Sequence, residues 1–273
     1  MPFFKTSSGI NLHYEIYPRS SPTQLTFIHG HLGSSRWWSP MIEILQKSTP
    51  FTTSSLSESI LCIDFHGCGK SDSPKNIINF NIQTVIDDLH DLIVSVEKKS
   101  IHLVGHSAGG LLSLHLLGLD PNKYTQGFLV SPVGLNGLNF NDELFNIFEQ
   151  MTHDKILTSK IIGSTIYKND YTSDFFKTTI AEDAFFGVQK LNSLFLKILR
   201  NLNSEYLIPK IHSRIEIIHG EHDLILPIQD SIELAKKIKQ ATFHKIQDCG
   251  HCPLIENPQL VSSFLLRFLF ASV

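Results

Sequence analysis

Apolar and polar positions alternate along "GINLHYEIY", residues 9–17, with the period of two that marks a strand. "LTFIHG" (25–30) and "ILCIDFHG" (60–67) also read as strands. "IHLVGHS" (101–107) is apolar on consecutive positions, as a strand buried on both faces should be. "TQGFLVSP" (125–132), "RIEIIHG" (214–220) and "ATFHKI" (241–246) complete the set. Between these runs the period changes. Ile82, Val85, Ile86, Leu89, Leu92, Ile93 and Val96 recur at the three-to-four spacing of an amphipathic helix. Asn79 or Asn81 is placed to cap it, and Lys98 and Lys99 stand at its negative end. "GGLLSLHLLGL" (109–119) predicts a buried helix, and "PIQDSIELAKKIKQ" (227–240) an amphipathic one. A last helix is expected from an Asn257 cap, with Pro258 in its first turn and Leu260, Val261, Phe264, Leu265 and Phe268 on its apolar face.

Strands alternating with helices predict an α/β fold with a mostly parallel sheet flanked by helices. The alternation breaks once, after the strand at 125–132. Residues 133–210 form an uneven run of short helical segments rich in Phe. They are read as a helical cap inserted into a core made of residues 1–132 and 211–273. Residues 48–59 are read as a polar surface loop, and no repeat of fixed period is present.

Composition narrows the picture. A chain of 273 residues with 42% apolar and 18% charged positions can bury a sizeable core. The net charge is −3 and no Lys/Arg block occurs, which argues against a nucleic-acid partner. The first residues lack the apolar region of a signal peptide, and no run approaches a membrane span. Four cysteines are too few for a disulfide scaffold, so reduced thiols and a cytoplasmic location are expected.

The chemistry starts at "GHSAGG", residues 105–110, a G-x-S-x-G motif that follows an apolar strand and opens a helix. That context favours a nucleophile over a chance match in a Gly/Ser loop. A strand-to-helix reversal in so few residues needs Gly105 and Gly109 for close packing, and it pushes the Ser107 hydroxyl out at the carboxyl end of the sheet. A serine hydroxyl needs a base within reach. Asp223, in "HGEHDLILP", and His251, in "DCGHCPLIENP", each lie just past the carboxyl end of a later strand. An open parallel sheet gathers its active groups there. Glu221 is the main rival for the acid, with Asp248 a second.

Five ordered stretches carry a resemblance: "HGHLGSSRWW", "DFHGCGKSD", "GHSAGG", "GEHD" with a Pro soon after, and "GHCPLIENP" before a final helix. The chain resembles the α/β-hydrolase superfamily, in its branch of small capped serine esterases, from about residue 8 to the C-terminus and least in the cap. The resemblance implies a catalytic triad of Ser107, Asp223 and His251. It also implies an oxyanion hole from the backbone N–H groups of His31 and Ala108, and no cofactor. His29 then becomes a packing residue, since no carboxylate-rich motif supports a metal at His29 and His31.

Cys249-Gly-His-Cys252 has the spacing of a dithiol exchanger. Such a site belongs at a helix N-terminus after an early strand of a thioredoxin-like unit. Here the stretch closes a hydrolase-like pattern, so the cysteines are read as incidental and His251 as functional.

A serine at the elbow, where relatives that open epoxides or remove halides carry Asp, implies an ester, thioester or activated C–C bond as target. Eight of the 19 Phe fall in the cap. Trp37, Trp38, Phe145, Phe148, Phe175 and Phe186 are the candidate substrate-binding residues of a largely apolar pocket. That pocket suits a small-molecule ester with an apolar acyl or aromatic part. Some relatives act on acyl groups held by an acidic acyl carrier protein. The cap's eight Lys/Arg against nine Asp/Glu give that partner no support. Other proteins of this fold keep the triad but act as ligand receptors. Against that reading stand the intact triad and both oxyanion positions.

Overall fold

The structure, a computed structural model, describes residues 2–17, 21–48, 59–74, 80–96, 98–138, 141–200 and 202–270. The strands among these residues are β1 (Phe3–Lys5), β2 (Asn11–Tyr17), β3 (Thr23–Ile28), β4 (Ser59–Ile63), β5 (Ser100–His106), β6 (Tyr124–Val130), β7 (Arg214–Gly220) and β8 (Ala241–Ile246). They form one sheet in the order β1-β2-β4-β3-β5-β6-β7-β8. β2 runs antiparallel to β1 and β4, and every pairing from β4 to β8 is parallel.

Parallel strands need crossovers, and helices supply them. α1 (Ser39–Lys47), α2 (Ile82–Ser95) and α3 (Ala108–Leu119) precede β6. α4 (Asp142–Met151), α5 (Lys155–Ser164), α6 (Ala181–Leu191) and α7 (Leu194–Leu199) lie between β6 and β7. α8 (Ile228–Lys237), α9 (Pro253–Glu256) and α10 (Pro258–Phe270) complete the chain.

Both faces of the sheet are covered, which explains the consecutive apolar runs. Leu61, Ile63, Leu103, Leu129 and Ile217 point to one face, where Leu89 of α2, Leu114 of α3 and Leu234 of α8 pack. Their neighbours Ile60, Cys62, Val104, Val130 and Ile218 point to the other, against Met41 of α1 and Leu265 of α10. The period of two is still present, but water touches neither side. α3 is buried on every side except its last residue, as a sequence apolar all round apart from Ser113 and His115 requires.

The helix ends follow local chemistry. Asn81 Oδ1 accepts the Thr84 N–H at 3.1 Å and caps α2, while the alternative Asn79 lies outside the described residues. Asn257 Oδ1 accepts the Leu260 N–H at 3.1 Å and caps α10. Phe140 and most of the polar stretch 48–59 also lie outside the described residues. β1, α1 and the one-turn helix Ser35–Trp38 are additions to the elements expected from periodicity. β1 is only three residues long, too short for a period to register. Among the described residues no helix is long and apolar enough to cross a membrane.

Candidate active site

β5 ends at His106 and α3 begins at Ala108, so Ser107 alone makes the reversal. Its backbone sits at φ 53°, ψ −117°. A side-chain-bearing residue held there costs about 1–3 kcal/mol, which surrounding contacts must offset. They do so through backbone. Ser107 N–H donates to Val130 O at 3.0 Å, and Ser107 O accepts from Val133 N at 3.0 Å. A Cβ on Gly109 would collide with the carbonyl oxygens of Ile28 and His29, and one on Gly105 with the carbonyl of Gly109. A Cβ on Gly30 would stand 3.1 Å from that of Ser107 and 2.8 Å from His106 Nδ1. Glycine at these positions lets β3, β5 and α3 approach closely enough to present the serine.

Three side chains from three loops meet here. His251 Nε2 lies 3.0 Å from Ser107 Oγ, and His251 Nδ1 lies 2.7 Å from Asp223 Oδ2. Asp223 follows β7 and is held from several directions. Its Oδ1 accepts the N–H groups of Ile225 and Leu226 at 2.8 and 3.0 Å. Its Oδ2 also lies 3.0 Å from His219 Nε2. Burial alone would raise the Asp223 pKa, but hydrogen bonds from His219 and His251 outweigh it and hold the carboxyl well below the usual range. The group therefore stays a carboxylate beside the imidazole. Such a relay can draw a proton from a hydroxyl and stabilise the resulting imidazolium.

The rival acids are engaged elsewhere. Glu221 pairs with Lys245, and Asp248 with Lys168 at the surface. The four cysteines are free and buried. Burial pushes the Cys249 thiol up to about 12 and Cys252 well above its ordinary value, the reverse of a reactive dithiol. His29 is a packing group. Its ring stacks on Phe65 at 4.4 Å, accepts the Phe65 N–H and donates to Gly30 O.

A cavity of about 530 Å³ opens over the serine. Gly30, His31 and Ala108 line it beside Ser107, so the two residues expected to supply oxyanion donors border the same cavity as the serine. Gly33 N–H bonds to Gly30 O at 3.1 Å and closes the turn that carries His31, with Leu32 at φ 64°. α3 also points its N-terminus, with its partial positive charge, at this cavity. The loop is tied down on both sides. Asp64 accepts the Ser35 N–H at 2.6 Å, and Asp183 of α6 accepts the Ser34 hydroxyl at 2.6 Å.

The aromatic expectations divide. Trp37 and Phe148 line the cavity. Trp38 does not: it is fully buried in the core, edge-on to Phe27 at 5.1 Å. Phe145 is covered by the Arg200 guanidinium, and Phe175 packs against the core cluster behind the wall. Phe186 points outward and is 50% exposed, because α6 turns Ala184 and Val188 inward instead. The wall is largely aliphatic: Leu144, Met151, Ile161, Ile162, Leu196 and Leu199 all contribute from the segment between β6 and β7.

The His31 ring stacks between Phe148 and Phe195, and neither ring nitrogen has a hydrogen-bond partner among the described residues. Burial, then the nearby His29, push its pKa down to about 3, so the ring is a neutral part of the wall. His106 and Thr165 were not singled out from sequence, yet both hold the His251 backbone. His106 Nε2 donates to His251 O at 2.9 Å, and His251 N–H donates to Thr165 O at 3.0 Å. The position inside G-x-S-x-G was a usable signal for His106. Thr165 carried none, because its contribution is a backbone carbonyl.

A protein-family model, described as the alpha/beta hydrolase family, matches residues 27–264. The chain belongs to the alpha/beta hydrolase family. Among curated proteins it is 21% identical to a monoacylglycerol lipase of Bos taurus, over 92% of this chain and 76% of that protein. Among solved structures it is similar to an esterase from Exiguobacterium antarcticum, with TM-score 0.81, 16% identity and 98% of each chain covered. It is also similar to a meta-cleavage product hydrolase from Pseudomonas fluorescens, with TM-score 0.80, 18% identity, and 98% and 97% covered. At these identities the structural likeness speaks for the fold. This alpha/beta hydrolase therefore shares its scaffold with proteins described as an esterase and as a meta-cleavage product hydrolase.

Proposed function

We propose that this alpha/beta hydrolase is a serine hydrolase that cleaves a small or medium-length carboxylic ester through an acyl-enzyme. The observation that carries the proposal is the Asp223–His251–Ser107 relay, at 2.7 and 3.0 Å, on the floor of a mostly apolar cavity. His251 Nε2 takes the Ser107 proton as Oγ attacks the ester carbonyl. The oxyanion is held by the N–H groups of His31 and Ala108, and such donors are worth about 10²–10³ in rate each. His251 returns the proton to the departing alcohol, and water then releases the acid by the same steps. Asp223 fixes the imidazole tautomer and stabilises its cation. In this reading residues 133–210 form the cap over a core of residues 1–132 and 211–273. Its aliphatic wall selects an apolar acyl or aromatic group. We place the protein in the cytoplasm on its cysteine usage.

The test is hydrolysis of p-nitrophenyl esters from C2 to C12 by the protein and by Ser107→Ala. Turnover with a chain-length optimum, lost in the variant, is expected. A folded protein that neither hydrolyses any ester nor reacts with a fluorophosphonate defeats the proposal. It would shift the assignment to a receptor or to a hydrolase of a very particular substrate.

A further inference from the structure

His251 sits on a loop, and a loop is a poor support for a base that must stay within hydrogen-bond reach of two partners. Its main chain is held with unusual completeness. Gly250 N–H donates to Glu256 Oε2, and Cys252 N–H donates to Glu256 Oε1 at 2.9 Å. One carboxylate thus brackets the base, with an oxygen on the amide before it and an oxygen on the amide after it. Between them the His251 N–H donates to Thr165 O at 3.0 Å, and the His251 carbonyl accepts from His106 at 2.9 Å. Glu256 also accepts the Tyr167 N–H, which ties the same carboxylate to the end of the segment that carries α5.

Helix capping does not account for this arrangement. Cys252 precedes α9 and its amide is an ordinary capping target. Gly250 lies two residues further out, beyond any turn of the helix. The contact to Gly250 N–H therefore serves the loop. Burial raises the Glu256 pKa, while the three amide donors and the charge of His251 pull the other way. A half-buried carboxylate without its donors would be costly, so the bracket and the charge support each other.

We infer that Glu256 is a positioning residue for the base: its two carboxylate oxygens set the placement of His251 between Ser107 and Asp223. This rests on the serine-hydrolase reading above. Glu256→Gln is the informative variant, because its shape is preserved. One amide oxygen still accepts, but the NH2 group now opposes a backbone N–H. The base should shift by a fraction of an ångström, and misplacement on that scale costs about ten- to hundredfold in rate.

The experiment compares the full-length protein, Glu256→Gln, Glu256→Ala and the core control Leu265→Ala. Three quantities are read: kcat and KM on a p-nitrophenyl ester, melting temperature, and the low-field proton NMR resonance of the His251–Asp223 hydrogen bond. For Glu256→Gln, kcat should fall by about ten- to hundredfold at unchanged KM, with the resonance moved or broadened. Leu265→Ala should lower the melting temperature and leave kcat and the resonance alone. The inference is overturned if folded Glu256→Gln keeps its kcat and its resonance, if its loss lies in KM, or if the core control loses kcat in step with stability. Should Glu256→Ala fail to fold, the Gln variant decides. A wild type inactive on every ester would count against the serine-hydrolase reading. The resonance in wild type and Gln would then still decide whether Glu256 positions His251.

Discussion

Ser107 and Phe148 line one cavity, but what surrounds them differs in kind. Around Ser107 the neighbours are backbone atoms: the carbonyls of Ile28 and His29 against Gly109, and Val130 O against the Ser107 amide. Backbone in the middle of a sheet cannot yield by changing rotamer, so this region tolerates one geometry. Around Phe148 the neighbours are side chains from short helices, with His31 stacked on its ring at 5.8 Å. Side chains repack. The floor of the site is therefore specified atom by atom, whereas the wall is specified by volume and polarity.

The contrast can be broken at its strongest point first. Asp223→Asn leaves the fold in place and removes the carboxylate that orients His251. In the proposed mechanism kcat should drop by about 10⁴-fold, measured by ester hydrolysis with an unchanged circular dichroism spectrum. Retention of near-normal kcat would mean another group orients the base. Gly109→Ala comes next. The added methyl meets two fixed carbonyls, and a stability loss of about 3 kcal/mol or more is expected in urea titration. A variant as stable as the parent would show the floor to be more pliable than described.

The acid limb of stability sharpens the comparison on the floor side. Asp64 anchors the loop that carries Ser35, and burial alone would raise its pKa. Hydrogen bonds from His13 and from the Lys70 and Ser35 amides outweigh it and hold the carboxyl at about 2. A carboxyl depressed in the folded state stabilises above its ordinary value near 4 and loses that contribution as pH falls through the folded value. Asp64→Asn should therefore remove about 2 kcal/mol at pH 7 and flatten the fall in stability between about pH 4 and pH 2. An unchanged slope would show that Asp64 is not the group responsible.

On the wall the responses should be graded. Phe148→Ala enlarges the cavity. The optimum should move to longer acyl chains, with a loss of about tenfold in kcat/KM on the former best ester. An unmoved optimum would place the acyl group elsewhere. Phe186→Ser is the smallest change. At 50% exposure and away from the cavity, it should alter stability by no more than about 0.5 kcal/mol and leave the chain-length profile intact.

This division tracks what could be read from the chain. The strands around β5 and β6 were legible because two-sided burial leaves consecutive apolar residues, a purely local signature. Ser107 was legible because the reversal from β5 to α3 demands glycines at fixed offsets. The aromatic wall was legible only in part. Trp37 and Trp38 are neighbours of the same type, yet Trp37 lines the cavity and Trp38 lies in the core. No periodicity separates them, since the choice depends on how the one-turn helix Ser35–Trp38 settles on Phe27 and His106. Phe186 faces water for a related reason: which side of α6 turns inward is set by docking against Leu32 through Gly187.

By itself, then, the sequence determined what short-range sterics and periodic burial can encode: a mostly parallel sheet, the elbow at Ser107, and the chain order of Asp223 and His251 beyond their strands. Only the tertiary structure decided the partners. It turned Phe148 toward the cavity and Phe186 toward water, and sandwiched the His31 ring between Phe148 and Phe195. It also set Thr165, His106 and Glu256 around the backbone of His251. Those contacts join residues up to 145 positions apart, as from His106 to His251. A local pattern carries no record of which distant surface will meet it. That meeting is fixed only when the elements dock as packed bodies.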